Sequence, residues 1–217
     1  MYRKYLAISE KEGQIANRPD VYANLAKILH SRGDIVEAEK MYRSSIATNE
    51  KLGREADNAN QYANLAVLMH VRGDLVGAEE MYRKSLAIFE KIGEIKNTSH
   101  QYTNLGVILE THGHLAEAIA MHRKALVIHE KLGDLSGMAA TCDVLGDKLR
   151  DLGDLGGAMA MYRKSLNVYL GLGNFEGMAE AYAAIGNILD TQGDSEAAEA
   201  MYRKSAALLL KLGITDI

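Results

Sequence analysis

A forty-residue period runs through the whole sequence. The triplet Met-Tyr-Arg at residues 41–43 returns at 81–83, 161–163 and 201–203, with Met-His-Arg at 121–123 and Met-Tyr-Arg at 1–3 in the same phase. No insertion or deletion interrupts this spacing. A fixed period of this length is typical of repeat proteins, in which each repeat is one supersecondary unit that buries its apolar face against its neighbours.

Two sets of glycines divide each repeat into two segments. The first set lies between the segments and is followed by Asp or, once, by His: Gly33, Gly73, Gly113, Gly153 and Gly193. The second set closes the second segment: Gly13, Gly53, Gly93, Gly133 and Gly173. Glycine adopts the left-handed conformation that ends many helices, and Asp is a good N-cap for the next one. The pattern predicts two helices in each repeat.

Apolar residues between these glycines recur at offsets of three and four, as Tyr22, Leu25 and Leu29 do, which is typical of amphipathic helices. We predict a helix A over about residues 15–31 of the first repeat and an antiparallel helix B over about 35–52. The predicted fold is an all-α solenoid of antiparallel helix pairs with about 11 helices. It has an orphan helix B at 1–12 and repeats at about 15–53, 54–93, 94–133, 134–173 and 174–213.

Large and small residues at set positions of each repeat resemble the tetratricopeptide repeat (TPR). In the second repeat they are Tyr62, Leu65, Ala66, Met69, Ala78, Tyr82 and Ser85, and in the fifth Tyr182, Ile185, Gly186, Leu189, Ala198, Tyr202 and Ser205. The period is longer than in most of that family, and helix B lacks the usual closing Pro. Such long repeats resemble those of kinesin light chains and spindle-orientation adaptors. The resemblance implies a right-handed superhelix and a concave, peptide-binding groove lined by the A helices.

The same offsets predict which side chains line that groove. In the first three repeats they are Asn24, Lys27, His30, Asn60, Asn64, Val67, His70, His100, Asn104 and Val107, and in the last two they are Asp147 and Asn187. Asn24, Asn64 and Asn104 form a ladder, and an Asn side chain can both donate to and accept from a peptide backbone. The alternative is that these three side chains bridge neighbouring helices or are merely solvated.

The last two repeats replace the Asn ladder with Val144 and Ala184 and place acidic side chains nearby, among them Asp143 and Asp147. This part of the groove could accept a basic segment of a partner, or it could be a solvated acidic face. The Arg-Lys row of helix B is explained by pairing with Glu residues four positions earlier. With a formal net charge of -4, we expect neither nucleic acid nor membrane as a partner.

Nothing in the sequence predicts an enzyme, a cofactor or a metal site. The histidines concentrated in the third repeat, including His112, His114 and His122, are spread over a turn and a core position and do not form a ligand set. The single cysteine, Cys142, stands where other repeats have Tyr, so we expect it to pack in the core. No signal peptide or membrane span is recognisable, and we expect a cytoplasmic protein.

The two ends of the sequence suggest alternatives to a peptide receptor. The chain opens in the phase of a helix B and closes on the apolar run 206–210, without the polar capping helix that solenoids usually carry. The chain could be a segment of a longer protein, such as the sensor of a signalling protein. It could also be a self-assembling scaffold that pairs through its terminal helices.

Overall fold

A computed structural model of the chain describes residues 18–214, and these form helices and turns only. The α-helices are α1 (Pro19–Ser31), α2 (Ile35–Lys51), α3 (Ala59–Val71), α4 (Leu75–Ile92), α5 (Ile95–Thr111), α6 (Leu115–Leu132), α7 (Leu135–Asp151), α8 (Leu155–Leu172), α9 (Phe175–Thr191) and α10 (Ser195–Lys211). A short 3-10 helix, η1 (Glu55–Asn58), precedes α3. The predicted all-α array of helix pairs is confirmed, whereas the orphan helix predicted at 1–12 lies outside the described residues.

The predicted turns form as the sequence indicates. All ten glycines that close the two segments of the described repeats, from Gly33 to Gly213, have φ between 64° and 86°, the left-handed region that glycine enters at no steric cost. Asp74, Asp154 and Asp194 then accept a hydrogen bond from the backbone N–H three residues later. Asp34 occupies the same N-cap position without forming that bond.

The second repeat departs from the pattern at the start of its helix A. The other A helices of residues 94–214 begin directly after an N-cap, with an apolar residue at positions 95, 135 and 175. Here the Arg54 side chain has no acceptor atom, position 55 carries an exposed Glu, and the chain makes a 3-10 turn before α3 begins at Ala59. The buried Asn58 holds this turn in place, because its side chain accepts a bond from Asn49 of α2 at 2.7 Å.

The chain divides into two compact units, Met1–Gly113 and His114–Ile217. In the described part of the first unit, α1 packs on α2 and α3 on α4, with α5 packed on α4. Ala26, Ala38, Ala66 and Ala78 are fully buried where the paired helices meet. An ion pair between Glu39 and Arg72 and a 3.3 Å contact between the Glu79 carboxylate and the His112 ring link each helix B to the next repeat.

In the second unit, α7 packs on α6, α8 pairs with α7, and α9 contacts both α8 and α10. Its core contains Leu145, Tyr162, Ile185 and Cys142, so the predicted burial of Cys142 is confirmed. Among residues 18–214, no helix is long and apolar enough to cross a membrane.

Candidate functional site

A cavity of about 630 Å³ opens in the first unit. Its wall comes from five elements: α1, η1, α3, the end of α4 and the start of α5. The residues that line it are Ala23, Lys27, Ala56, Asp57, Ala59, Asn60, Gln61, Asn64, Phe89, Ile92, Glu94 and Asn97. Its volume lies within the range of small-molecule and short-peptide sites in proteins.

The polar side chains of this cavity make no contact of their own with other polar groups of residues 18–214. Seven of them line it: Lys27, Asp57, Asn60, Gln61, Asn64, Glu94 and Asn97. Within residues 18–214, none of these side chains forms a hydrogen bond or an ion pair with another protein group. They supply amide donors and acceptors, one cation and two carboxylates. The cavity therefore presents a polar lining that is available to a ligand.

The first turns of the A helices explain why several of these groups remain available. In the second unit, Asp134 and Asn174 cap their own helices by accepting bonds from the backbone N–H groups of Gly137 and Gly177. The equivalent residue of α5 is Glu94, whose side chain makes no such bond. Position 97, equivalent to those two glycines, carries Asn97, which lines the cavity.

The structure brings together only part of the predicted groove set. Lys27, Asn60 and Asn64 line the cavity, whereas the other first-unit positions lie outside its lining. Of those, Asn24, His100 and Val107 are exposed and His30, Val67, His70 and Asn104 are partly buried. The middle member of the Asn ladder thus belongs to the cavity, and its outer members, Asn24 and Asn104, do not line it.

The two predicted residues of the second unit are engaged within their own repeats. The Tyr162 hydroxyl donates to Asp147 at 2.7 Å, and Arg150 lies 3.1 Å from the same carboxylate. The Tyr202 hydroxyl donates to the Asn187 side-chain oxygen at 2.8 Å. Asp147 and Asn187 are therefore part of the internal hydrogen bonding of the repeats that contain them.

Two glycines let these tyrosines lie across helix A. A Cβ atom at Gly146 would stand 2.5 Å from Cε1 of Tyr162, and one at Gly186 would stand 2.7 Å from Cε1 of Tyr202. The first two repeats have Ala26 and Ala66 at this position, followed by Lys27 and Val67 in place of an acceptor. In the second unit, the glycine that makes room for the tyrosine ring is therefore followed by the residue that accepts the hydrogen bond of that tyrosine.

Asp143 is also committed to an internal contact. The Tyr169 hydroxyl donates to its carboxylate at 2.7 Å, and Gly177 makes room for that ring, since a Cβ there would lie 2.5 Å from Cε1 of Tyr169. Burial raises the pKa of Asp143 above its ordinary value of 3.8, although the hydrogen bond from Tyr169 opposes the shift. Burial also raises the pKa of Glu180, with Glu176 and Asp143 adding repulsion.

Nine cavity residues are absent from the predicted groove set, and for Ala56, Asp57 and Glu94 the sequence does carry a signal, a break in the repeat pattern. Arg54 and Glu55 depart from the helix-start pattern, and the resulting 3-10 turn carries Ala56 and Asp57 to the cavity wall. Glu94 departs from the short N-cap side chains of the later repeats. Phe89 and Ile92 belong to helix B and could not be found from the groove face of helix A alone.

The predicted pairing of the Arg-Lys row on helix B is confirmed at four positions. Arg43, Arg83 and Arg203 form ion pairs with Glu residues four positions earlier, at 2.6–2.8 Å. Lys84 pairs with Glu80 at 2.7 Å. These cations are thus used on the helix surface, where such pairs contribute a few tenths of a kcal/mol.

The sequence matches the family profiles of the tetratricopeptide repeat. One profile matches residues 15–91 and 56–131, which together exceed half of the chain, and a second matches residues 179–208. A comparison with curated proteins gives no significant match.

Solved structures with the same fold are numerous and distant in sequence. BtubC (BKLC) from P. vanneervenii superposes with a TM-score of 0.77 at 18% identity, covering 99% of this chain and 89% of that one. A kinesin light chain-like protein of Podospora anserina with nearly identical TPR-like repeats gives 0.74 at 16%, covering 93% and 99%. YrrB, a TPR protein with an unusual peptide-binding site, gives 0.65 at 17%, covering 93% and 91%. At these identities the likeness establishes the fold.

Proposed function

Since this chain belongs to the tetratricopeptide repeat family, we propose that it is a non-enzymatic interaction module that holds a peptide segment of a partner protein in the cavity of its first unit. Proteins of this family bind peptides and proteins, and YrrB carries a peptide-binding site on the same fold. A helical-repeat scaffold suits this task because it presents side chains from successive repeats on one extended surface.

One observation carries the proposal: seven polar side chains line a single cavity and none of them is bonded to the described protein. Four are amides, which can satisfy the N–H and C=O groups of an extended backbone without demanding a side-chain sequence. Phe89 and Ile92 add an apolar surface, and an apolar surface beside a few placed polar groups is the usual make-up of a binding site.

Display selection with a randomised nonapeptide library tests this function. We expect enrichment on the wild-type protein and its loss on the triple variant Asn60→Ala, Asn64→Ala, Asn97→Ala, because that variant removes three of the four amides. Asn167→Ala, at an exposed position of α8, is the matched control and should select like wild type. Circular dichroism should show unchanged helicity in all variants. Equal enrichment on the triple variant would exclude the cavity as the peptide site.

The predicted Asn ladder is tested separately by the double variant Asn24→Ala, Asn104→Ala. These residues do not line the cavity, yet they lie on helices that contribute to it. If the bound peptide extends along the A helices, its dissociation constant should rise on this double variant. An unchanged constant would restrict the site to the cavity itself.

Self-association is a second candidate function, and an exposed face of α10 favours it. Tyr202 is 37% exposed, whereas the equivalent Tyr162 is 2% exposed, and Leu210 on the same helix is 60% exposed. Pairing of two such faces would bury apolar surface. Light scattering over a concentration series should then show a dimer that Tyr202→Ser with Leu210→Ser converts to a monomer. A wild-type protein that stays monomeric throughout would exclude this candidate.

A further inference from the structure

We propose that the cavity of the first unit selects its peptide by the order of charges along it. An acidic side chain of the peptide lies towards Lys27, a basic one lies towards Asp57 and Glu94, and an apolar side chain between them packs on Phe89 and Ile92. This inference rests on the proposed function and names the class of peptide that the cavity accepts.

The charges of the cavity come from three successive repeats. Among the described residues of the lining, Lys27 is the one cation, and it belongs to α1 of the first repeat. Asp57 in η1 of the second repeat and Glu94 before α5 of the third are its two anions. All three side chains are exposed, and within residues 18–214 none of them has an ion-pair partner. Repeats stack in chain order in a solenoid, so the lining runs from positive to negative.

The rest of the described lining is uncharged and has an apolar part. The amides of Asn60, Gln61 and Asn64 come from α3, which follows Asp57 and precedes Glu94 in the chain. Phe89 is 2% exposed and Ile92 is 45% exposed, so Ile92 offers the larger free apolar surface. An apolar side chain placed there would lose water contact, while the amides bond its backbone.

The equivalent positions of the second unit lack this order of charges. Position 27 corresponds to Asp147 and Asn187, which accept bonds from Tyr162 and Tyr202. Position 57 corresponds to Gly137 and Gly177, and position 94 to Asp134 and Asn174, the caps of α7 and α9. In the second unit the same positions therefore stabilise the repeat, and in the first unit they are left for a ligand.

Reversing the charge of Lys27, or of Asp57 and Glu94 together, tests the inference. The probe is a randomised nonapeptide display library. Wild type should enrich peptides that carry Asp or Glu on one side of an apolar residue and Lys or Arg on the other. Lys27→Glu should replace the acidic preference by a basic one. The double variant Asp57→Lys, Glu94→Lys should replace the basic preference by an acidic one. All three positions are exposed, where substitutions usually change stability by less than about 0.5 kcal/mol.

Fluorescence polarisation then measures the best wild-type peptide on each protein. We expect affinity to fall about tenfold on either reversed protein, and a peptide with the matching charge reversed to regain it on Lys27→Glu. The preference of the wild-type protein for the original charge order over the reversed one should weaken as salt is raised from low concentration to about 1 M. Lys51→Glu, an exposed reversal outside the lining, is the matched control and should behave as wild type.

The two proposals fail in different ways. If wild type enriches peptides without a charge order, or if both reversed proteins bind the same peptides as wild type, the charge selection is wrong and peptide binding stands. If wild type enriches no peptide, the proposed function and this inference are both overturned. Peptides that bind wild type and the amide triple variant equally place the binding surface elsewhere and also overturn the inference.

Discussion

Cys142 occupies a core position that tyrosine fills in other repeats. It has no exposed surface, and burial raises the pKa of its thiol to about 11. The thiolate is the nucleophile in alkylation and disulfide exchange. A buried thiol with a raised pKa is therefore protected twice, by sterics and by protonation.

We expect the folded protein to react with a thiol-specific reagent at pH 8 at least about a hundredfold more slowly than the urea-unfolded chain, because raising the thiol pKa from 9.0 to about 11 lowers the thiolate fraction by about that factor. Labelling rates measured with and without urea check this prediction. Because Cys142 is the single cysteine, all incorporated label reports on it. Rapid labelling of the folded state would show that the second unit opens locally at α7.

Asp143 is the carboxylate whose substitution should stabilise the protein at neutral pH. Its pKa is raised by burial, so the native state holds this proton more tightly than the unfolded chain does. Below the ordinary pKa of 3.8 the group is protonated in both states and carries no penalty. As pH rises from this value towards the raised native pKa, the unfolded chain loses its proton first and stability falls, and above the native pKa the loss stays constant.

Asp143→Asn should therefore raise the unfolding temperature at pH 7, because the amide oxygen still accepts from Tyr169 and no charge is buried. The gain over wild type should shrink towards zero as pH is lowered to about 3.5. Thermal unfolding of both proteins across this range measures it. Asp151→Asn, an exposed site on the same helix, controls for the change in net charge. A gain independent of pH would argue against a buried carboxylate as its cause.

The contact of α7 with α8 depends on a missing side chain at Gly146. A Cβ there would lie 2.5 Å from the Tyr162 ring, which is nearly fully buried and bonded to Asp147. Gly146→Ala improves helix propensity by about 1 kcal/mol but overpacks this contact. We expect a net loss of about 1–3 kcal/mol in the free energy of unfolding.

Urea titration measures that loss, and Ala66→Gly is the matched control in the first unit. Ala66 is fully buried at the equivalent position, and its replacement should cost about 1 kcal/mol through backbone entropy and lost packing. Tyr162→Leu in the Gly146→Ala background should recover part of the loss, because the ring that clashes is gone. A Gly146→Ala protein as stable as wild type would show that α7 and α8 shift apart freely.

The first turn of α5 lacks a side-chain cap. This lowers the stability of the helix and leaves the carboxylate at its N-cap available to a ligand. Glu94 does not cap its helix, whereas Asp154 of α8 accepts from the Gly157 N–H at 2.8 Å. Glu94→Asp shortens the side chain to the length found at working caps. We expect it to stabilise the protein by about 1 kcal/mol and to weaken peptide binding, because the carboxylate turns towards the Asn97 N–H.

Urea titration and fluorescence polarisation on the same samples measure both effects. Asp154→Ala is the opposite control and should cost about 1 kcal/mol without changing the affinity for peptide. A Glu94→Asp protein with greater stability and unaltered affinity would separate the cap from the binding site. Unaltered stability would mean that the first turn of α5 cannot reach the capping geometry.

Across the whole molecule, the periodic features of the sequence predict the fold well. The glycines and the three-four apolar spacing locate helix B of the first repeat at 35–52, and the structure has α2 at Ile35–Lys51. The start of the second repeat is not predicted, because η1 is held by a buried Asn49–Asn58 contact. That contact joins two helices across a turn, and local pattern does not reveal it.

The candidate site was predicted only in part for a similar reason. Helical offsets identify side chains on one face of a helix, and three of the predicted residues, Lys27, Asn60 and Asn64, line the cavity. These offsets do not show which polar side chains form hydrogen bonds within the protein. Asp147 and Asn187 have the offsets of groove residues, yet Tyr162 and Tyr202 reach them because Gly146 and Gly186 leave space.

The uniform turns described above also bear on how such a gene can change. Within residues 18–214 the helices are separated by glycines of nearly the same φ, so cutting out or copying forty residues in phase joins a turn to a similar turn. Unequal recombination between such similar coding segments would then alter the number of repeats without creating a new loop. Point substitutions on the A helices could diversify the ligand separately, leaving the array's length and its binding chemistry to evolve independently.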